Sequence, residues 1–347
     1  MSIRVLVAED SATARALLVS ILESDSELEV IGQAKNGHEA VALAKRLLPD
    51  VITMDIHMPG LGGFEAIRRI RHDAPAPIVV VSASISKVDV AASLAALNAG
   101  ALTALAKPAG PQAPNFEECA RQLILTVKGM SEVKVVRRWS SVPARSAPRA
   151  IARPSKLLAI AASTGGPAAL YRIFSALPAK FPVPIVVVQH ISHGFLPGMI
   201  EWWRSASALD MRVASSGEVL QPGTVYVAPD SAHCQLSNRN TIVLSSAPPV
   251  DGHRPSASVL FRSAAQVHGT GLFALILTGM GRDGVDGLRE VHARGGYVVA
   301  QDRESSVVFG MPGAAIEAGV VDDIVPLPAI ADHLMQLLIT PTSREIR

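Results

Sequence analysis

The first 128 residues alternate short apolar runs with longer amphipathic stretches. This alternation is typical of βα units, in which buried parallel strands are covered by helices. Five such units are predicted, and their strands are expected at Ile3–Ala8, Val30–Ala34, Val51–Asp55, Ile78–Ser82 and Ala101–Ala106. The fourth helix is predicted over Lys87–Asn98 and the fifth over Phe116–Met130, after a stretch rich in proline and glycine.

The periodic pattern stops between Ser131 and Lys156. Prolines and arginines accumulate there, at Pro143, Pro148, Pro154, Arg137, Arg138, Arg145, Arg149 and Arg153. A solvated connector is the favoured interpretation of such a stretch, ahead of a contact with nucleic acid or an acidic partner. We therefore predict a domain over 1–128, a linker over 129–156 and a second domain over 157–347.

Near-continuous apolar runs return from Leu157 onwards. Such runs are typical of strands that are buried on both faces of a parallel sheet. The strands are expected at Leu157–Ala162, Ile185–Gln189, Met211–Ala214, Thr224–Ala228, Thr241–Leu244, Phe273–Leu277 and Tyr297–Ala300, with a hairpin around Asn238–Asn240. The predicted fold class is α/β with two domains, an N-terminal (βα)5 domain of flavodoxin-like kind and a C-terminal, doubly wound, mainly parallel domain of hydrolase type.

Composition and net charge indicate a folded globular protein and argue against several other classes. Of the 347 residues, 49% are hydrophobic and 18% are charged, which is typical of a packed globular chain rather than a disordered one. The net charge of +2 is too small to indicate a general attraction to nucleic acid or to an anionic membrane. The two cysteines fall in separate predicted domains, so neither a disulfide framework nor a zinc site is expected.

Neither a secretory signal nor a membrane span is predicted. The N-terminus runs directly into an apolar strand pattern, without a basic region, an apolar stretch and a cleavage site in that order. The uncharged stretch over 90–106 is interrupted by Asn98 and Gly100, so it does not match a spanning helix. A cytoplasmic protein without membrane insertion is expected.

Polar side chains gather where the predicted strands of the first domain end. Glu9 and Asp10 follow the first strand, Asp55 ends the third, Ser82 ends the fourth and Lys107 follows the fifth. Because the carboxyl ends of parallel strands meet at one edge of a sheet, these side chains are expected to lie together. Crowded carboxylates need a cation, and oxygen ligands of this type suit Mg²⁺.

This cluster resembles a response-regulator receiver domain. The resemblance is carried by Glu9-Asp10, Asp55, Met58-Pro59-Gly60, Ser82-Ala83 and Lys107-Pro108. It implies that Asp55 accepts a phosphoryl group from a sensor histidine kinase and that Glu9 and Asp10 help to hold Mg²⁺. It also implies that Ser82 and Lys107 respond to the phosphoryl group, which a hydroxyl and an ammonium can bind.

Two positions depart from the receiver pattern. Ala104 stands where receivers commonly carry an aromatic switch residue, three positions before the lysine. Gly62 stands where an aspartate is often found. The alanine leaves open how a movement of Ser82 would be relayed.

A strand, a tight turn and a helix are predicted around Ser163. The apolar run that ends at Ala162 is followed by Ser163-Thr164-Gly165-Gly166-Pro167 and then by a helical stretch over Ala168–Leu177. Alone, such a turn is also typical of a phosphate-binding loop or of a serine that caps a helix. It lacks the phosphate-loop motifs, and Ala161 replaces the first glycine of the Gly-x-Ser-x-Gly elbow, so the standard α/β-hydrolase fold is not predicted.

A base and an acid follow two other strands of the second domain. His190 ends one strand, and Asp283 lies in a glycine-rich turn after another. A serine nucleophile needs a base to take its proton, and an imidazole needs a carboxylate to orient it. His193 is an alternative to His190 as the base, and Asp286 is an alternative to Asp283 as the carboxylate that orients the imidazole. A metal pair formed by the two histidines is not predicted, because no third ligand is near.

Four segments of the second domain resemble the chemotaxis protein-glutamate methylesterase family, CheB. They are Ala162-Ser163-Thr164-Gly165-Gly166-Pro167, Val188-Gln189-His190, Leu277-Thr278-Gly279-Met280-Gly281-Arg282-Asp283-Gly284 and Val308-Phe309-Gly310-Met311-Pro312. With the receiver in front, the resemblance covers nearly the whole chain. It implies a triad of Ser163, His190 and Asp283, with Thr164 and Met280 near the site and their backbone N–H groups available to an oxyanion.

The resemblance also implies an activity and its control. The implied reaction is hydrolysis of glutamate methyl esters on the cytoplasmic part of chemoreceptors, with deamidation of receptor glutamines, and it needs no cofactor. An unphosphorylated receiver that covers the hydrolase site, released when Asp55 is phosphorylated, is the implied control. Two other classes are weighed against it, a DNA-binding output and an inactive adaptor. A DNA-binding output is disfavoured, because apolar parallel strands stand where a helix-turn-helix would be needed. An inactive adaptor is disfavoured, because all three triad residues are present.

Overall fold

The structure is a computed structural model that describes residues 2–82, 96, 99–113, 116–131, 133 and 156–338. The chain divides into two compact units, Met1–Ser141 and Val142–Arg347. The predicted fourth helix, Lys87–Asn98, lies outside the described residues except for Ala96, and so does most of the predicted linker. Across the described parts of the chain, no helix has both the length and the apolarity needed to cross a bilayer.

The first unit contains one fully parallel sheet. Its strands are β1 (Ile3–Ala8), β2 (Leu28–Ala34), β3 (Val51–Met54), β4 (Ile78–Ser82) and β5 (Thr103–Ala106). They lie in the order β2-β1-β3-β4-β5. The described helices are α1 (Ala12–Glu23), α2 (Gly37–Leu47), α3 (Gly63–Asp73) and α4 (Phe116–Ser131). The predicted flavodoxin-like arrangement is confirmed, and its strand order reverses between β1 and β3.

Local sequence explains where the helices begin. The Asn36 side chain accepts a hydrogen bond from the Glu39 N–H (2.9 Å), and the Glu39 carboxylate accepts one from the Lys35 N–H (2.9 Å). This reciprocal cap pairs the Glu39 N–H, which the first turn of α2 leaves without a partner, and the Lys35 N–H just before the helix. Ser11 caps α1 in a similar way through the Ala14 N–H. Both helices therefore begin where a polar residue after a strand can cap the first turn.

The second unit contains a larger parallel sheet. Its strands are β6 (Leu157–Ala162), β7 (Ile185–Gln189), β8 (Asp210–Val213), β9 (Thr224–Val227), β12 (Leu272–Ile276), β13 (Tyr297–Gln301) and β14 (Asp323–Val325). They lie in the order β14-β13-β12-β6-β7-β9-β8. The chain first builds outward from β6 through β7 and then returns to add β12 on the other side. This doubly wound topology places its switch point at β6.

Helices and a hairpin cover this sheet. The helices are α5 (Gly166–Ala176), α6 (Leu196–Arg204), α7 (Ala257–His268), α8 (Val285–Ala293), α9 (Met311–Glu317) and α10 (Leu327–Leu338). Strands β10 (His233–Leu236) and β11 (Ile242–Ser245) pair in antiparallel fashion and confirm the predicted hairpin. The central strands β6, β7 and β12 are buried along their whole length, as parallel strands covered on both faces must be.

Two differences from the predicted elements have a physical reason. Strand β14 was not predicted, because it is only three residues long and begins with an acid, Asp323. Strand β5 begins at Thr103 instead of Ala101, because the chain turns at Gly100 with a φ of 122°. The remaining predicted strands coincide with observed ones to within two residues at each end.

Candidate active site

Three carboxylates meet at the carboxyl edge of the first sheet. Ligand oxygens of Glu9, Asp10 and Asp55 lie within 4.8 Å of one another. Glu9 and Asp55 are buried, whereas Asp10 is exposed, so the cluster opens to solvent on one side. A set of carboxylate oxygens with an open side fits a hard divalent cation such as Mg²⁺, which takes oxygen ligands and keeps several waters.

Lys107 joins this cluster from the end of β5. Its Nζ lies 2.7 Å from Glu9 Oε2 and 2.9 Å from Asp55 Oδ2. Burial raises the pKa of Glu9, and the charge of Asp55 adds to that effect while Lys107 opposes it. Burial alone lowers the pKa of Lys107, but its contacts with the two carboxylates raise it overall. One ammonium against three carboxylates leaves net negative charge, which a cation would neutralise.

Ser82 ends β4 next to the lysine. Its backbone carbonyl accepts a hydrogen bond from the Lys107 N–H at 2.8 Å. The Ser82 side chain is fully buried, and its hydroxyl has no hydrogen-bond partner among the described residues. A buried hydroxyl without a partner is costly unless it serves a second state of the protein. Ala104 pairs with Val80 in the adjacent strand, so the strand itself tolerates the missing aromatic ring.

The predicted triad lies at the carboxyl edge of the second sheet. Ser163 directly follows β6, His190 directly follows β7, and Asp283 lies in the loop after β12, so the three loops leave neighbouring strands. Backbone hydrogen bonds tie these loops together: the His190 N–H donates to Ala162 O and the Ser163 N–H donates to Thr278 O, both at 3.0 Å. The site therefore occupies the switch point of the sheet, where open α/β folds bind their ligands.

Asp283 holds the imidazole of His190. The Nε2 of His190 lies 2.9 Å from Asp283 Oδ2, and the Nδ1 of His190 is buried with no partner among the described residues. Asp283 is 1% exposed. Because Nε2 carries the proton that it shares with the carboxylate, Nδ1 is left as the basic nitrogen.

The beginning of helix α7 stabilises the charge of Asp283. The carboxylate accepts hydrogen bonds from Ser256 Oγ (2.8 Å) and from the backbone N–H groups of Ala257, Ser258 and Gly284 (2.7, 3.1 and 2.8 Å). Burial by itself raises the pKa of Asp283, but the hydrogen bonds from His190, Ala257 and Ser256 hold that pKa well below its ordinary value. The carboxylate therefore stays ionised although it is buried.

The competing residues lie elsewhere. The His193 side chain is 84% exposed, and its Nδ1 pairs with Asp230 at 3.1 Å. Asp286 is exposed on α8 and faces Arg289 at 3.8 Å. The structure therefore brings His190 together with Asp283 and leaves both alternatives at the surface.

Glycines let the loops approach the half-buried Ser163. Gly165 has a φ of 79°, a left-handed conformation that starts α5 at low steric cost. A Cβ added to Gly279 would lie 2.8 Å from Ser163 Cβ and 2.3 Å from Met311 Sδ. Position 279 therefore has to be glycine if the loop after β12 is to pass this close to the serine.

Two backbone donors beside the serine are unused. The N–H groups of Thr164 and Met280 donate no hydrogen bond to any residue that the structure describes. Thr164 follows the serine directly, and Met280 follows Gly279, whose own N–H donates to Val308 O at 3.0 Å. Unused backbone N–H groups of this kind can bind an oxyanion.

Sequence reasoning missed several residues that build this site. The Nε2 of the buried Gln189 donates to the carbonyls of both Ser163 and His190, at 2.9 and 2.8 Å. Thr278 Oγ1 lies 2.9 Å from Thr164 O and accepts a hydrogen bond from the Val308 N–H, also at 2.9 Å. A polar residue at the end of an apolar strand was the available signal for both. Ser256 gave no such signal, since it lies 27 residues before Asp283.

The two folds and their sites define a response regulator whose output domain is of hydrolase type. A family model described as CheB methylesterase matches residues 158–334, and one described as response regulator receiver domain matches residues 5–113. The chain belongs to the CheB methylesterase family, with a receiver domain at its N-terminal end.

Two relatives match this chain over nearly the whole of their length. A protein named protein-glutamate methylesterase/protein-glutamine glutaminase 4 from Myxococcus xanthus is 50% identical over 343 residues, which cover 96% of each chain. A protein named protein-glutamate methylesterase/protein-glutamine glutaminase 3 from Anaeromyxobacter dehalogenans is 50% identical over 337 residues, 96% of this chain and 98% of its own. The crystal structure of the Thermotoga maritima CheB methylesterase catalytic domain matches with a TM-score of 0.51 and 39% identity, over 52% of this chain and 98% of that chain.

Proposed function

We propose that the second unit is a serine esterase that removes methyl groups from glutamate side chains of chemoreceptors, and that also deamidates receptor glutamines. The observation that carries this proposal is the buried Asp283 paired with His190 at the switch point where Ser163 lies. The names of the full-length relatives support both activities. The substrate is the cytoplasmic part of a receptor, which places the reaction in the cytoplasm.

The proposed acylation starts at Ser163. Its Oγ attacks the side-chain carbonyl carbon while His190 Nδ1 takes the hydroxyl proton. The N–H groups of Thr164 and Met280 bind the oxyanion of the tetrahedral intermediate. Asp283 stabilises the imidazolium through Nε2. The imidazolium then returns the proton to the leaving oxygen or nitrogen, and methanol or ammonia departs.

Water completes the reaction. His190 accepts a proton from water, the hydroxide oxygen attacks the acyl carbon, and the bond to Ser163 Oγ breaks as His190 returns the proton to that oxygen. The products are a free glutamate side chain and the unmodified serine. Each step uses residues of this site, and no cofactor enters the esterase reaction.

The first unit supplies the proposed control. Asp55 accepts a phosphoryl group from a sensor histidine kinase, and Lys107 and Ser82 bind the phosphoryl oxygens. Glu9, Asp10 and Asp55 are the residues that would hold Mg²⁺, which supplies positive charge against the phosphate when it is bound. The partnerless hydroxyl of Ser82 supports its role as a group that pairs only in the phosphorylated state.

Methanol release from methylated receptor membranes tests both units together. The wild type, Ser163→Ala, Asp55→Ala and a matched control, Ser175→Ala, are each measured with Mg²⁺ in the presence and absence of acetyl phosphate. Ser175 is a control because it is exposed on α5 and its hydroxyl donates to Arg172 O, away from the triad. We expect release by the wild type and Ser175→Ala, background release by Ser163→Ala, and a rise with acetyl phosphate that Asp55→Ala lacks.

The opposite results have definite meanings. If the wild type releases no methanol from receptors of its own cell, the unit is an adaptor or acts on another ester. If Ser163→Ala retains the activity, the serine is not the nucleophile. If acetyl phosphate raises the activity of Asp55→Ala as much as that of the wild type, the receiver does not control the esterase through this aspartate.

A further inference from the structure

A second imidazole covers the face of His190. The rings of His190 and His253 are stacked, with centroids 4.1 Å apart and an angle of 2° between their planes. His253 is half-buried and lies outside every motif that pointed to the site from sequence. Asp283 contacts the edge of the His190 ring at Nε2, whereas His253 lies against the face of that ring.

The turn that carries His253 is built to hold it in place. The His253 N–H donates to Val250 O at 2.9 Å, and the Val250 N–H donates to His253 O at 3.0 Å. The two residues between them, Asp251 and Gly252, have φ values of 50° and 80°. Two consecutive positive φ values and a reciprocal bond pair define a tight two-residue turn of defined geometry. The side chain at 253 therefore projects from a fixed backbone.

A third histidine ties this turn to the rest of the site. His233 is 1% exposed; its Nδ1 accepts a hydrogen bond from the Ser256 N–H (3.2 Å) and its Nε2 donates to Pro248 O (3.1 Å). His233 thus joins the two ends of the segment over 248–256. Since Ser256 Oγ donates to Asp283, the same segment supports the carboxylate and places His253 over the base.

We propose that His253 is a positioning residue for the esterase reaction, which holds the ring plane of His190 and stabilises its imidazolium by face-to-face stacking. This inference rests on the proposed function, because it assigns His190 as the base. An aromatic face attracts a cation placed over it, and the attraction grows when water is excluded. His190 takes up a proton during acylation and deacylation, so the stacking favours the reacting state over the state before proton transfer.

The test compares an aromatic with an aliphatic side chain at position 253. His253→Phe keeps an aromatic face, whereas His253→Leu fills similar space without one. We expect His253→Leu to lower kcat for methanol release about tenfold with KM unchanged, and His253→Phe to stay within about threefold of the wild type. His292→Leu, at an exposed position of α8, is the control for losing a histidine. His253→Gln replaces the leucine variant if the latter does not fold.

A second readout needs no receptor. Phenylmethylsulfonyl fluoride reacts with an activated serine: the Ser163 Oγ–S bond forms, the S–F bond breaks, fluoride leaves and His190 takes the proton. The rate of this reaction, followed by the mass of the adduct, is expected to fall about tenfold in His253→Leu and to recover in His253→Phe. If the wild type reacts but releases no methanol, the proposed substrate is wrong while the inference stands.

Two outcomes would overturn the inference. Equal rates for the phenylalanine and leucine variants would overturn the inference: two high rates would mean that His253 only fills space, and two low rates would mean that its imidazole acts through something other than an aromatic face. Unchanged sulfonylation in His253→Leu and His253→Gln, with thermal unfolding like that of the wild type, would mean that the stacked ring does not assist the base.

Discussion

The Oδ2 atom of Asp283 lies 2.9 Å from the Nε2 atom of His190, although 93 residues separate the two in sequence. The carboxylate is buried and also accepts hydrogen bonds from the beginning of helix α7. The carboxylate of Asp283 therefore has two roles. It caps the beginning of helix α7, and it pairs with the imidazole of His190. Activity and stability are coupled through this residue, and they can be separated by experiment.

Asp283→Asn is expected to reduce kcat for methanol release by about 10⁴-fold, the loss seen when the triad of a serine hydrolase loses its carboxylate charge. An amide keeps the shape of the side chain but does not stabilise the imidazolium. Steady-state methanol release is the measurement. Asp286→Asn, at the exposed neighbouring acid of α8, is expected to remain within about twofold of the wild type. Equal losses in both variants would contradict the assignment.

Asp283 also couples folding to pH. Its pKa in the folded protein is lower than the ordinary value of 3.8, so its contribution to stability is fully present above that value and is lost as the pH falls through the folded pKa. We expect Asp283→Asn to lower the free energy of unfolding by about 3 kcal/mol at pH 7, and the deficit to shrink below about pH 4. Urea unfolding, followed by the fluorescence of the buried Trp203 in the same unit, measures it. A deficit independent of pH would refute this account.

Gln189 links the nucleophile and the base through one amide group. Gln189→Leu removes two hydrogen bonds and leaves the carbonyls of Ser163 and His190 without that donor. We expect the free energy of unfolding to fall by about 2 kcal/mol and kcat to fall about tenfold, with a smaller change in KM. Gln235→Leu, at a half-buried glutamine of β10, is the matched control. An unchanged kcat would show that the backbone bonds alone hold the two loops.

Apolar periodicity is sufficient to predict most of this fold. Leu157–Ala162 is buried at every position, and its extent was predicted without error because both faces of a central parallel strand must be apolar. The same logic places Ser163, His190 and Asp55 at strand ends, where loops leave the sheet. A short edge strand such as Asp323–Val325 carries too few buried positions for this pattern.

Contacts across the site are harder to predict, because they depend on loop geometry and not on spacing. Ser256 and His253 precede Asp283 by some 30 residues, and their roles depend on a turn and on the buried His233 that ties it down. The choice of His190 over His193 was also left open by the sequence. In the structure the two histidines differ in burial. Of the two, only His190 lies against a fully buried carboxylate, whereas the side chain of His193 is exposed.

Mg²⁺ is expected to stabilise the first unit through its acidic cluster. At one hundred times its dissociation constant, a ligand that binds only the folded state adds about 2.7 kcal/mol to the free energy of unfolding. Glu9→Gln removes one of the three carboxylates and is expected to abolish most of this gain. Thermal unfolding with and without MgCl₂ measures it, with the exposed Glu23→Gln as the control. If MgCl₂ stabilised the wild type, Glu9→Gln and Glu23→Gln equally, the Mg²⁺ responsible would bind elsewhere on the surface and not at this cluster.

Gly279→Ala tests how closely the loop after β12 must approach the nucleophile. The φ of Gly279 is outside the left-handed region, so alanine fits the backbone and its cost comes only from contact. The new methyl group would lie 2.3 Å from Met311 Sδ and 2.8 Å from Ser163 Cβ. Since a displacement of about 1 Å at a reacting group can cost about 10²-fold in rate, we expect a loss of that size in kcat for methanol release.

A double variant separates the two contacts of that methyl group. In Gly279→Ala with Met311→Ala, the contact with sulfur is relieved but the contact with Ser163 remains. Because the misplaced serine causes the kinetic loss, kcat is expected to stay low even though thermal stability recovers part of its fall. Gly110→Ala, where nothing lies within 4 Å of the added methyl group, controls for the substitution itself. Full recovery of kcat in the double variant would assign the loss to Met311 and show that Ser163 had not moved.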